Sequence, residues 1–199
     1  SITDRDLKDW SEDDGRITRK DLIAINSILF LNKTNSKSAK NKQVKDRINE
    51  ALKFWEHINN QSGFGEPGFK SKSILGQPVA IKAIAKLAYE LTWSAKYNNA
   101  PGLKKLYTHL KTIDFNHKNQ MWNYYNLEKE VRLKEFPGLE LFLPPEDESN
   151  RDMGFFDGDY MRFGSKHNDI YPLIGDMIRW KLDLPNRNIK KHEKVKDAA

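Results

Sequence analysis

Apolar side chains return every three or four positions along much of the chain, and that spacing predicts helices. Leu22, Ile25 and Leu29 share a face with Ile28 beside it. Thr18 followed by Asp21 has the form of a capping box, so the first secure helix is predicted over Arg19 to Leu31. From Val44 the spacing resumes as Ile48, Leu52 and Trp55, with Ala51 and Ile58 alongside. It predicts a second helix burying that stripe, ended by Gly63, Gly65, Pro67 and Gly68. Pro78 suits a first helical position, and Ile81, Ile84, Ala85, Ala88 and Leu91 continue the pattern to about Tyr97. This is the predicted central core helix, and Ala80, Ala83, Ala85 and Ala88 would let neighbours approach closely.

Pro101-Gly102 separates it from a shorter helix, Leu103 to Thr112, that turns Leu103, Leu106, Tyr107 and Leu110 inward. Asn119 to Glu135 reads as helical with a broken stripe of Trp122, Tyr125 and Val131. Between Phe136 and Phe163 the pattern fails under Pro137, Gly138, Pro144, Pro145, Gly154, Gly158 and Gly164, which predicts a long loop with at most a short hairpin. Asn168 or Asp169 then caps a last helix whose Ile170, Leu173, Ile174, Met177, Ile178 and Leu182 form one apolar face, and Pro185 stops it. At the other end, Thr3 is placed to cap a short helix bearing Asp4 and Asp6, with Leu7 and Trp10 as its apolar contacts. The expected fold is all-α, an irregular helical bundle around a central helix starting near Pro78, with a long irregular acidic loop. Residues 1–185 are expected to form one domain and 186–199 a frayed basic tail.

Apolar residues make up 38% and charged residues 31% of the 199, a wet composition, yet five Trp and ten Phe supply enough large side chains to order a core. The absence of Cys excludes disulfides, thiolate nucleophiles and Cys-ligated zinc, which makes a cytoplasmic protein the simplest expectation. Lys82, Lys86 and Glu90 interrupt even the most apolar segment, so no membrane span is expected.

The net charge of +6 is unevenly distributed. Asp4, Asp6, Asp9, Glu12, Asp13 and Asp14 open the chain, and Glu140, Glu146, Asp147, Glu148, Asp152, Asp157 and Asp159 crowd the long loop. Lys33, Lys37, Lys40, Lys42, Lys45 and Arg47 form one basic block, and Arg187, Lys190, Lys191, Lys194 and Lys196 another. The first block spans a stretch from Asn32 to Gln43 too polar to pack, expected to be an exposed loop. Lysines there can follow a phosphate backbone and release its counterions, so they are the candidate nucleic-acid-binding residues. A merely solubilising surface is the plainer alternative.

Catalytic signatures are lacking. The histidines, His57, His109, His117, His167 and His192, make no ligand pair, and only a fold that joined His109, Asp114 and His117 would give a metal site. Asp157 and Asp159 flank Gly158 without the other positions of a calcium loop. Gly63, Gly65 and Gly68 fit no phosphate-loop template. The five Trp sit on apolar stripes or helix ends and read as core anchors. No catalytic residue, cofactor site or metal is assigned.

The ordered blocks Phe54-Trp55-Glu56, Leu75-Gly76-Gln77-Pro78-Val79-Ala80, Ile113-Asp114-Phe115, Trp122 and Asn168-Asp169-Ile170, with the long apolar helix between the second and third, resemble the C-terminal half of the DndB family, the DGQHR-motif proteins associated with bacterial DNA phosphorothioate modification. The resemblance runs from about Leu22 to Leu184. The namesake motif is absent; Asp14-Gly15-Arg16 lacks its Gln and His. Because the chain also starts at Ser1 without Met, it is expected to be the C-terminal part of a larger protein. The family often has His where Leu75 stands, and Gly-Arg where Asn123, Tyr124, Tyr125 and Asn126 follow Trp122, so neither polar role is carried over. The insert Glu128 to Asp159 is longer and more acidic than the resemblance leads one to expect. The resemblance implies a DNA-associated bacterial protein that regulates transcription of phosphorothioation genes, with DNA and other proteins of the same modification system as partners. Two alternatives stay open: a protein-protein interaction module of such a system, and a fragment of a nucleic-acid-processing enzyme.

Overall fold

The computed structural model describes residues 10–33, 40–145 and 153–187. The predicted helix at Thr3 and Lys37 of the basic block lie outside them. α1 spans Arg19–Leu31, as predicted. The Thr18 hydroxyl accepts the Asp21 N–H at 3.1 Å and donates to the Asp21 carboxylate at 2.7 Å. Ile25, Ser27, Ile28 and Leu29 are buried, but Leu22, predicted inward, is 41% exposed. Asn32, in the left-handed region at φ 56°, closes the helix.

α2 runs over Asn41–Asn59 and so begins within the predicted loop. Its buried face is Ala51, Phe54 and Ile58. The predicted stripe is corrected: Ile48 is 50% and Leu52 64% exposed, and Trp55 is only partly covered. Two apolar stripes about 100° apart coexist on this helix, and the one carrying Phe54 packs inward.

The glycine turn leads into α3, Phe69–Lys72, and a 3-10 turn at Ile74–Gly76. A Cβ on Gly76 would lie 2.5 Å from the Lys70 Cα, so only glycine allows this approach. α4, Pro78–Trp93, starts on the predicted proline and ends before Tyr97. Val79, Ala80, Ile81, Ala83, Ile84, Ala85, Leu87, Ala88 and Leu91 are all buried along it. α1, α5 and α7 pack around it, making it the central helix. Each fully buried large aliphatic side chain here contributes about 1.5–3 kcal/mol.

α5, Ala100–His109, includes the Pro101-Gly102 pair predicted to precede it. Asn99 caps it by accepting the Gly102 N–H at 2.9 Å, and Pro101 occupies a first-turn position where no donor is required. The stretch predicted as one helix over Asn119 to Glu135 is two: a 3-10 segment Gln120–Asn126 with a kink at Asn123, then α6, Lys129–Glu135. Its broken stripe reflects that break, since Trp122 is fully buried while Val131 is 41% exposed.

The predicted loop does contain a short antiparallel hairpin, β1 Gly154–Phe156 with β2 Met161–Phe163, pairing Gly154 with Phe163. α7, His167–Lys181, begins one residue before Asn168, and no side chain caps it. Pro172 lies inside α7 and leaves one hydrogen bond of the ladder unmade. Ile170, Leu173, Ile174, Met177, Ile178 and Leu182 are buried as predicted. The described structure is predominantly helical, and one hydrophobic core runs from Ile25 to Leu184.

Candidate nucleic-acid interface

Lys33 follows the end of α1, Lys40 caps α2, and Lys42 and Lys45 sit in its opening turns. All four are exposed. The Lys40 N–H donates to the Gln43 side chain at 3.3 Å, and no carboxylate occupies the first turn of α2. A helix N-terminus carries a partial positive charge, so these lysines and the helix present charge of one sign. Asp46, also exposed, marks the acidic limit of the patch.

Arg47 behaves differently from the lysines beside it in sequence. Its Nη1 donates to the Phe30 carbonyl of α1. Its guanidinium lies 4.6 Å from the Trp93 ring centroid and 5.8 Å from that of Tyr89. It therefore ties α2 to α1 and α4 rather than facing outward with the others. Cation-π contacts of this kind contribute about 0.5–2 kcal/mol.

A buried ionic seam joins α4 to α7. Arg179 Nη2 donates to Glu90 Oε2 at 2.7 Å. Arg187 grips Asp176 with two bonds, 2.6 and 2.9 Å, and reaches Glu90 at 3.3 Å and the Pro172 carbonyl at 3.2 Å. Lys86 approaches Glu90 at 3.2 Å. Burial alone would raise the Glu90 pKa, but Arg187, Lys86 and Arg179 together hold it below the ordinary value. Burial pushes Asp176 upward against the opposing pull of Arg187. Arg187 was expected in the basic tail. It is instead part of the packed structure, next to Asn186, whose side chain donates to the Leu141 carbonyl at 2.7 Å.

A second polar knot pins the hairpin. The Gln77 side chain donates to the Met161 carbonyl at 2.7 Å and accepts the Phe163 N–H at 3.1 Å, acting as a third strand against β2. His117 Nδ1 accepts the Met161 N–H at 3.1 Å, and Nε2 bonds the Lys70 carbonyl at 2.7 Å. This fixes the neutral tautomer with hydrogen on Nε2. Burial pushes the His117 pKa below 6.5 despite the bond to the Lys70 carbonyl. Trp10, fully buried, packs between His117 and Tyr160, with the Arg162 guanidinium 4.5 Å from its ring centroid. Asp157 accepts the Asp159 and Tyr160 N–H groups and, at 2.7 Å, Arg162 Nε. It is thus the hub of the hairpin turn. Burial opposes its ionisation, yet Arg162 and the two N–H groups hold its pKa below the ordinary value.

His109 and Asp114 are exposed while His117 is committed to two backbone bonds, so the trio is not brought together. Among the described residues no group of three His, Asp or Glu stands placed to hold a metal, and no helix is long and apolar enough to cross a membrane. Sequence reasoning passed over Gln77, Glu90, Asp176 and Arg179. Their signal was present: charges at Glu90, Asp176 and Arg179 fall inside otherwise apolar helical stripes, where only a paired charge is tolerated.

No curated protein and no solved structure matches the chain. The family DndB, described as DNA-sulfur modification-associated, matches over residues 8–149. The match starts ahead of Leu22 and takes in α1 to α6, including the lysine patch, but stops before the hairpin and α7. With a match over well more than half of its length, the chain belongs to the DndB family of DNA-sulfur modification-associated proteins.

Proposed function

We propose that this chain contacts duplex DNA through the lysines at the start of α2 and serves as a regulatory unit of a DNA sulfur modification system. The observation that carries the reading is the exposed Lys40, Lys42 and Lys45 around a helix N-terminus whose first turn holds no carboxylate, with Lys33 exposed just past the end of α1. Such a surface suits phosphates, which fix position on DNA without reading sequence. Lys37 completes the proposed set from sequence, whereas Arg47 is withdrawn from it because its guanidinium is engaged between α1 and α4. Regulation of transcription, rather than sulfur insertion, is the role that the family resemblance implies.

The test is a titration of labelled duplex DNA across a salt series. The native chain is compared with a variant in which Lys33, Lys37, Lys40, Lys42 and Lys45 become Gln while Arg47 is kept. Binding should be steeply salt-dependent, and the slope of log K against log salt should fall by about 0.9 for each phosphate contact removed. An unchanged slope, or no binding at low salt, sinks the proposal.

One observation favours a second reading, an interaction module for a protein of the same system. Ile48 and Leu52 stand exposed on the same helix as the lysines. Binding of a system protein that survives high salt and is lost on Leu52→Asp, with DNA binding absent, would carry that reading instead.

A further inference from the structure

Between the 3-10 segment Gln120–Asn126, α6 and the turn Leu139–Leu141 lies a cavity of about 280 Å³. It is at the small end for ligand sites, with room for one planar ring system. Tyr124 and Tyr125 line it, their ring centroids 5.6 Å apart and their planes at 87°. Tyr124 is almost fully buried and Tyr125 the more open of the two, so a flat ligand there stacks on Tyr125. Lys129 and Arg132 of α6 bring positive charge to the same cavity, and the Arg132 guanidinium lies 5.4 Å from the Tyr124 ring centroid.

Glu140 also lines the cavity, and its Oε2 is enclosed without a hydrogen-bond donor. An enclosed carboxylate oxygen without a donor is costly, and native folds seldom leave one without a reason. The final torsion of a glutamate is broad, so a partial turn about it, unlike the two-fold flip that only exchanges the oxygens, brings both to the cavity. The site therefore offers a stacking wall, an acceptor lacking its donor, and two cations.

We infer that this cavity binds a guanine nucleotide, with Glu140 reading the base and Lys129 and Arg132 holding the phosphate. The Watson–Crick edge of guanine carries N1–H and N2–H side by side, two donors for two carboxylate oxygens. Adenine and cytosine set a ring-nitrogen acceptor beside the amino group, and thymine flanks its N–H with carbonyls, all of which a carboxylate repels. A guanidinium and an ammonium are the usual partners of phosphate oxygens. The inference goes beyond the duplex-contact reading and does not depend on it, because the cavity is built from other elements than the lysine patch.

Calorimetric titration tests it with 5′-GMP, guanosine, 5′-AMP and a single-stranded oligothymidylate carrying one guanine. 5′-GMP should bind saturably, with 5′-AMP roughly ten- to a hundredfold weaker, the discrimination of a good bidentate base contact. Glu140→Gln should abolish that preference, and Lys129→Gln should weaken 5′-GMP but not guanosine. The five-lysine variant should bind 5′-GMP as the native chain does, which separates failure of this site from failure of the duplex surface. Capture of the oligonucleotide alone, lost on Glu140→Gln, assigns the base to a nucleic-acid strand; capture of 5′-GMP assigns it to the free nucleotide, and both uphold the site. The inference is overturned if neither binds, if 5′-AMP matches 5′-GMP, or if Glu140→Gln keeps the preference. Thermal unfolding of Glu140→Gln adds a check independent of ligand: its midpoint should equal or exceed the native one, and a fall would show that the carboxylate already has a structural partner.

Discussion

The arginine and the lysines of the first basic block have opposite fates. Lys33, Lys40, Lys42 and Lys45 are exposed, while Arg47 bonds the Phe30 carbonyl and stacks against Trp93. In the second basic cluster Arg187 does the same, gripping Asp176 with two bonds and reaching Glu90. A guanidinium is planar, weakly hydrated and rich in directed donors, so it can leave water if carbonyls, carboxylates and rings receive it; an ammonium is compact and strongly hydrated and leaves water less readily. A run of positive charge in a sequence is therefore two populations. One holds the fold together, and the other stays at the surface.

The most severe way to break this contrast is Arg187→Ala, which takes its two-bond partner from Asp176, a carboxylate almost wholly out of water, and leaves Arg179 4.0 Å away. Removing one partner of a buried pair costs about 3–5 kcal/mol, and urea unfolding should show a loss of that order. A loss below about 0.5 kcal/mol, the range of surface substitutions, would mean the seam is not structural.

Arg47→Lys keeps the charge and removes the plane. It should cost about 1–2 kcal/mol from the lost stacking and carbonyl bond while leaving the DNA salt slope unaltered. A flattened slope with unchanged stability would return Arg47 to the phosphate-contacting set.

The contrast extends to titration. His117 has a folded pKa below the ordinary 6.5, chiefly because burial disfavours the charged ring. The stability its neutral form contributes is complete above pH 6.5 and is lost as pH falls toward the folded value, at up to about 1.4 kcal/mol per pH unit. Unfolding followed between pH 7 and 5 should show this slope in the native chain and in the five-lysine variant, but not in His117→Gln.

The smallest effect is expected from the five-lysine variant itself. Its stability should stay within about 0.5 kcal/mol of the native chain, since exposed charges contribute little. A larger loss would place those side chains among the fold's supports and undo the contrast.

α1, α4 and α7 were legible because each carries a long apolar stripe with a recognisable start, Thr18 and Pro78 being the clearest. α2 was legible as a helix but not as to its face: Ile48, Leu52 and Trp55 recur as regularly as Ala51, Phe54 and Ile58, and periodicity alone does not choose between them. The break at Leu127 and Glu128 between the 3-10 segment and α6 left only a faint mark, a stripe that failed after Trp122. The cavity beside Tyr124 and Glu140 left none, because it joins residues from both sides of that break with the turn that follows.

What the sequence determined by itself was local: helix periodicity, the proline that opens α4, the glycine turns, the density of lysine before α2, and the order of blocks that carried the family resemblance. These depend on neighbours within a turn or two and are written in the spacing of residues. What only the tertiary structure decided was which of two competing faces is buried, which cations turn inward, and which polar groups meet across the chain, as Gln77 meets β2 and Arg179 meets Glu90. Those outcomes follow from desolvation and packing among distant segments, and a buried charge survives only where a partner from elsewhere in the chain arrives to receive it.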